Sequence, residues 1–359
     1  MAGTFRFSFG PWNIHEGADP FGPVVRGSIP FNKKLGMYRK LGFGAVQFHD
    51  DDAVPDMNNL SQEQIIRRAG AVKKSLDKHG LKAEFVAPRL WEDPRTIDGG
   101  YTSNDPKCRK YAKDRNHRCI DIANALGTDL IVLWLAREGT YIREAKDSKV
   151  AVDRIVGALS DMLEYDSKIR IAIEPKPNEP MDHAYIPTAG HALALAARTV
   201  DPTRIGVNIE TAHAILAGLD PSDEMGFALS VGKLWTVHLN DQNGLKFDQD
   251  KTFGAVDLRR AFNQVRILDR HDYGKRGEWV GLDVKAMRSQ KANVATRHLT
   301  NSRDIFLRLL NVSRSLDDEK LDAMIKARDY EAAEIMIIKA LMGCRTKRGI
   351  AVPHSTVSE

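Results

Sequence analysis

The stretch Arg170-Ile171-Ala172-Ile173-Glu174-Pro175-Lys176 is a short apolar run that closes on a carboxylate and, two residues later, on an ammonium. Side chains of an extended chain repeat every two residues, so Glu174 and Lys176 share one face. Seven further runs repeat the design: Arg6–Trp12, Ala45–Asp50, Ala83–Pro88, Asp129–Trp134, Ile205–Glu210, Leu234–Asp241 and Trp279–Lys285. At or just past the ends of the eight sit Trp12, His49, Trp91, Trp134, Glu174 with Lys176, Glu210, His238 and Asp283. Polar and aromatic side chains at the same end of every strand have one economical explanation. In a (β/α)₈ barrel all strand C-termini converge on one mouth, where residues remote in sequence become neighbours.

Helical spacing fills the intervals. Phe31–Leu41 and Gln62–His79 carry apolar residues three and four apart among charged ones. The segment Asp105–Leu126 begins with a capping Asn104-Asp105 and a first-turn Pro106, and stops at Gly127. Lys149–Tyr165, Thr188–Thr199, Asp223–Val231, Ala255–Asp269 and Ala295–Asn311 continue the alternation. Strands alternating with helices imply a parallel sheet with crossover connections. A doubly wound sheet is the competing fold, but no glycine-rich phosphate loop follows the first strand, and eight units favour closure. The expectation is an α/β protein: a TIM barrel over residues 1–314 and a C-terminal helical extension over 315–359. Leu316–Met342 reads as a charged, Met- and Ala-rich helical tail ending in a polar strip to Glu359, with the last dozen residues expected to be disordered. Such a tail cannot bury its apolar face alone, so it is expected to wrap the barrel or a neighbouring subunit.

Composition narrows the function. The 359 residues are 42% hydrophobic, and 53 basic against 48 acidic residues leave a net charge of only +5, dispersed along the chain. That argues against nucleic acid as a partner. No apolar stretch reaches the roughly 18 residues of a membrane span, and no secretory leader pattern is present. Cys108, Cys119 and Cys344 are too few for a disulfide framework. The expected location is the cytoplasm.

Two acidic groupings carry chemistry. One is Glu174 with Lys176. The other is Asp248-Gln249-Asp250 after strand seven, which gains meaning from Glu210-Thr211-Ala212-His213 after strand six. Oxygen donors with one nitrogen suit Mg²⁺, Mn²⁺ or Co²⁺. Two sites are expected: site one from Glu174, Glu210, His238 and Asp283, and site two from the bridging Glu210 with His213, Asp248 and Asp250. Without two divalent cations, five carboxylates in one dry mouth would repel, and several would have to remain protonated.

Seven motifs then resemble those of the xylose isomerase family, in the family's order from about residue 5 to 290. They are Phe9-Gly10-Pro11-Trp12, Asp19-Pro20-Phe21-Gly22, Phe48-His49-Asp50-Asp51-Asp52, Arg137-Glu138-Gly139, the Glu174–Pro180 run, Val207-Asn208-x-Glu210-x-x-His213 and Asp248-Gln249-Asp250. The resemblance implies that His49, oriented by Asp52, assists opening of a cyclic sugar and that Lys176 hydrogen-bonds the oxygen at C1. It further implies that Trp12, Trp91 and Trp134 wall the substrate, that Phe21 reaches a neighbouring subunit's pocket, and that the assembly is a homotetramer. The implied reaction is aldose–ketose isomerisation of an unphosphorylated sugar by a metal-assisted 1,2-hydride shift.

Departures from the family pattern keep other readings open. His238 stands where xylose isomerases have an aspartate ligand; a strand-seven histidine is usual in one-metal ketose 3-epimerases of the wider superfamily. Trp91 replaces a phenylalanine, Leu135-Ala136 replace a glycine pair, and Ala87 and Arg89 replace small polar groups. The alternatives are therefore an epimerase or lyase working by proton abstraction beside a carbonyl, and a non-catalytic sugar-binding barrel.

Overall fold

Eight parallel strands close into a barrel in which every strand pairs with its sequence neighbours and the last with the first. They are β1 (Phe7–Phe9), β2 (Ala45–His49), β3 (Lys82–Ala87), β4 (Leu130–Trp134), β5 (Arg170–Glu174), β6 (Ile205–Glu210), β7 (Leu234–Leu239) and β8 (Val280–Leu282). The structure is a computed structural model, describing residues 5–344. Eight helices follow the strands: α1 (Phe31–Lys40), α2 (Gln62–Lys78), α3 (Pro106–Leu126), α4 (Ser148–Tyr165), α5 (Ala189–Ala196), α6 (Pro221–Ser230), α7 (Leu258–Arg270) and α8 (Arg297–Ser315). This is the (β/α)₈ barrel expected from the strand–helix alternation.

Local chemistry sets the helix starts. Ser61 and Gln64 form a reciprocal capping box at α2, and Asp105, Asp147, Thr188, Asp220 and Asp257 each accept a backbone N–H at the next five helices. Buried apolar faces of these helices pack on the outward faces of the strands in one continuous core containing Phe9, Val46, Phe48, Val86, Ile131, Ile171, Ile209 and Val237.

Strand register builds the mouth. Trp134 pairs with Glu174, Glu210 with His238, and His238 with Gly281, so these side chains stand at nearly one level. Between β2 and β3 three residues oppose two, because Val46 pairs Ala83 while Phe48 pairs Val86. This bulge turns both Glu84 and Phe85 inward. Beneath the mouth, Glu84 accepts hydrogen bonds from Thr236 (2.7 Å) and Gln47 (3.2 Å), and burial pushes its carboxyl above the usual range. Gly281 is required here: a Cβ would lie 2.4 Å from Gln47 Nε2 and 2.6 Å from the Val237 carbonyl.

Several elements differ from the sequence reading. The Arg6–Trp12 run keeps only three strand residues, because Pro11 opens a 3₁₀ turn over Pro11–Asn13. Trp279–Lys285 likewise shortens to Val280–Leu282. Single turns of helix at Asp50–Ala53 and Thr211–Leu216 carry mouth residues directly off β2 and β6. A two-stranded ribbon pairs Gly139–Thr140 with His183–Ala184. The tail is two helices, α9 (Asp318–Lys326) and α10 (Tyr330–Leu341), broken where Arg328 adopts φ 56°. It docks on its own barrel through Arg266–Asp318 (2.6 Å) and Arg259–Glu334 ion pairs, and Ala340 is buried. Most of the polar strip at the chain end lies outside the described residues.

Candidate metal centre at the barrel mouth

Glu174, Glu210, His213, His238 and Asp250 are all buried at the C-terminal ends of β5 to β7 and in the loop after β7. Three groups of donor atoms lie within 4.8 Å of one another: Glu174, Glu210 and His213; Glu210, His238 and Asp283; Glu210, Asp248 and Asp250. Every residue proposed from sequence as a ligand is in one of these groups, and Glu210 is common to all three. The partition differs from the expected one: there are three groups in place of two, because Glu174 and His213 leave the two expected sets and group with each other and Glu210. His213 Nε2 nevertheless lies 3.0 Å from Asp248 and 3.2 Å from Glu210.

The donors are aimed by neighbours that, apart from Trp12, the sequence had not assigned a role. Asn208 donates to Glu174 (2.6 Å), and Asn240 donates to Glu210 (2.9 Å) and Asp250 (3.1 Å). Asp283 accepts from the Trp12 indole (3.0 Å) and from Asn13 (3.1 Å). Lys285 pairs with Asp250. The period of two identifies three of these: Asn208, Asn240 and Lys285 each stand two residues from a ligand on the same face. Such outer partners fix ligand orientation.

Electrostatics at the mouth are lopsided when side chains alone balance the charge. Burial and the neighbouring Asp248 push Glu210 well above the usual carboxylate range; burial and Asp248 do the same to Asp250. For Glu174 burial acts upward, but His238 and then His213 outweigh it and hold the carboxyl at about 2. Asp248 is likewise depressed, burial being overcome by Lys176 and His213. Burial would discharge His238, yet Glu174 raises it well above its ordinary value.

The hydrogen-bond geometry adds a sharper observation. Among the described residues neither nitrogen of buried His238 has a hydrogen-bond partner, although Nδ1 is 3.1 Å from Glu174. His213 Nδ1 and Asp248 Oδ1 are also unsatisfied. An orphaned buried polar atom costs about 1–3 kcal/mol. Four orphans among one donor set, nitrogen and carboxylate oxygen together, fit divalent cations of the Mn²⁺, Co²⁺ or Mg²⁺ kind.

Aromatic groups form one wall. Trp12 stacks on His49 with centroids 4.1 Å apart, His49 meets Trp91 edge-on at 5.1 Å, and Trp91 lies 4.6 Å from Trp134. Trp12 is thus both a wall and a hydrogen-bond donor to Asp283. The Lys176 ammonium lies 5.0 Å over the Trp134 ring and is bound to Asp248 (2.9 Å) and Glu179 (3.2 Å). Burial would neutralise it, but these carboxylates keep it protonated, with a pKa above that of a free lysine. Asp52 is 3.1 Å from His49 Nδ1. Phe21 stands apart from the pocket of its own chain: it is 81% exposed and meets Phe247 edge-on at 5.5 Å.

Comparison with known proteins agrees with this architecture. Among solved structures, D-psicose 3-epimerase from Clostridium cellulolyticum H10 superposes with a TM-score of 0.61 at 15% identity, covering 85% of this chain and 99% of that one. A D-psicose 3-epimerase determined in the presence of D-fructose gives 0.63 at 13% identity, with coverage of 85% and 99%. An L-ribulose 3-epimerase gives 0.61 at 15% identity, with coverage of 87% and 96%. At these identities the likeness establishes the shared fold. Among the described residues no helix is long and apolar enough to cross a membrane. A family model matches residues 36–291, from within α1 to just beyond β8 and Asp283, and on that match the chain belongs to the xylose isomerase-like TIM barrel family.

Proposed function

We propose that this protein is a metal-dependent aldose–ketose isomerase acting on an unphosphorylated sugar. The observation that carries the reading is Glu210, common to three largely buried donor groups, beside a buried Lys176 whose charge is held in place. Glu174, Glu210, His238 and Asp283 would hold one cation, and Glu210, His213, Asp248 and Asp250 a second. Bound there, divalent cations supply Lewis acidity that stabilises negative charge developing on adjacent sugar oxygens.

The chain's own residues do the rest. Trp12, Trp91 and Trp134 exclude water from one side of the substrate, which protects a migrating hydrogen from exchange with solvent. His49 lies between Trp12 and Trp91, placed to exchange a proton with a ring oxygen during opening. Lys176 offers a fixed ammonium to a carbonyl oxygen once substrate competes with Asp248 and Glu179 for its protons. In the proposed isomerisation hydrogen passes with its electron pair from C2 to C1, and a proton is exchanged between O2 and O1, so the product is the ketose. Phe21, exposed beside Phe247, supports assembly into a homotetramer in which it serves a neighbouring copy. Sedimentation equilibrium tests that point.

A second reading is favoured by His238. Together with Glu174, Glu210 and Asp283 it would make a one-metal site, and the solved structures with this fold named above are ketose 3-epimerases. There, strand-end carboxylates would remove and return a proton at the carbon beside the carbonyl. Aldoses labelled with deuterium at C2 and ketoses labelled with deuterium at C3 separate the two. Retention of the label in a C1-transferred product supports isomerisation. Wash-out into water with inversion at C3 supports the epimerase and overturns the first reading.

A further inference from the structure

Arg89 lies in the loop after β3, forty positions from His49, and reaches it. Its Nη2 is 2.7 Å from His49 Nδ1. The same nitrogen is 3.3 Å from Asp52 Oδ1, and Nε is 2.9 Å from Asp51. His49 Nδ1 also has Asp52 Oδ2 at 3.1 Å. Two neighbours therefore compete for one ring nitrogen, and their chemistry is opposite: a guanidinium only donates and a carboxylate only accepts. An imidazole nitrogen offers a single in-plane position, which is either an N–H for Asp52 or a lone pair for Arg89.

Three observations decide between them. The Arg89 contact is the shorter by 0.4 Å, the difference between 3.1 and 2.7 Å. Asp52 is satisfied without the ring proton, because Oδ2 accepts the His49 backbone N–H (3.1 Å) and Oδ1 faces Arg89. Arg89 cannot yield its charge: it sits among Asp51, Asp52 and Glu92. A proton on Nδ1 would point its hydrogen at a donor 2.7 Å away.

We propose that Arg89 is a positioning residue that holds His49 as the neutral tautomer with its proton on Nε2, so that His49 presents a hydrogen-bond donor to a substrate oxygen. Nε2 has no hydrogen-bond partner among the described residues, while Trp12 and Trp91 pin the ring plane. The assignment of the recipient as a sugar oxygen rests on the proposed function; the tautomer does not. With Asp52 as sole partner the proton would sit on Nδ1, and the ring would show the substrate a bare nitrogen instead.

Long-range ¹H–¹⁵N correlation spectra of the full chain carrying ¹⁵N-histidine test this directly at mildly alkaline pH. The His49 signals are assigned by their loss in His49→Gln. The expected wild-type pattern is a protonated Nε2 and an unprotonated Nδ1. In Arg89→Met the proton is expected to move to Nδ1, facing Asp52, whereas Asp52→Asn leaves it on Nε2. A wild-type Nδ1–H, or a tautomer unchanged in Arg89→Met, overturns the proposal. Should Arg89→Met fail to fold, the wild-type and Asp52→Asn spectra still decide it. The expected tautomer in a protein that turns over no sugar would defeat the functional reading alone; sugar turnover with Nδ1–H would defeat only this inference.

Discussion

Breaking the Asp50–Arg115 pair should cost more than any surface change and should reach the mouth. Arg115 on α3 donates twice to Asp50, both at 2.7 Å, and the two side chains are 5% and 0% exposed. Two charge-assisted bonds at about 1.5–3 kcal/mol each agree with the roughly 3–5 kcal/mol lost when one member of a buried pair is deleted. Asp50 also accepts the backbone N–H of Arg89 (3.2 Å) and of Asp51 (2.9 Å), so it anchors the loop that presents Arg89 to His49. Arg115→Met should therefore lower the unfolding free energy by about 3–5 kcal/mol. The double variant Arg115→Met/Asp50→Asn should recover much of that loss, because no unpaired charge stays buried. Urea unfolding of the four proteins in the cycle gives the numbers. A loss under about 1 kcal/mol in Arg115→Met, or strict additivity in the double variant, would refute the burial argument.

His238→Asp adds a negative charge to site one and should shift binding toward Mg²⁺ relative to Mn²⁺ by roughly tenfold, about 1.4 kcal/mol; competition titration reads the ratio, and an unchanged ratio would count against imidazole ligation. His298 on α8 is buried, with Nε2 2.8 Å from the Asn13 carbonyl, and burial lowers its pKa from 6.5 to about 4. The unfolded chain binds this proton first as pH falls. Stability from the neutral ring is thus complete above pH 6.5 and lost progressively down to pH 4, by as much as about 3 kcal/mol. His298→Gln should flatten that part of the pH–stability curve, and an equally steep curve would dismiss the assignment. Trp12→Phe keeps the stack on His49 but removes the indole donor to Asp283, so cation affinity should fall about tenfold or more, as measured by calorimetry.

Much of this was legible from where polar residues fall on each strand. Ile205–Glu210 is a strand over its full predicted length, because its apolar run is uninterrupted by proline or a turn. Glu174, Glu210, His238 and Asp283 converge as strand ends must. What escaped was contact between loops. Nothing local tells that Arg89 meets His49, since His49 ends β2 and Arg89 lies in the loop after β3, and their approach depends on the Asp50–Arg115 anchor. The bulge that turns Glu84 inward left no signal either, since Ala83–Pro88 reads as a regular strand. Lys176 illustrates a different gap. Its place beyond the end of β5 follows from the sequence, but the contacts of its ammonium with Asp248 and Glu179 do not. The break that divides the helical tail in two left no signal, because the apolar spacing runs on past Arg328 and only the backbone conformation interrupts it.

The number of cations bound per chain tests the central claim most directly. Protein stripped with chelator, reloaded with Mn²⁺ and crystallised should show two anomalous peaks flanking Glu210, with His238 on one and His213 on the other. One peak alone, or two peaks of which neither touches Glu210, would contradict the account.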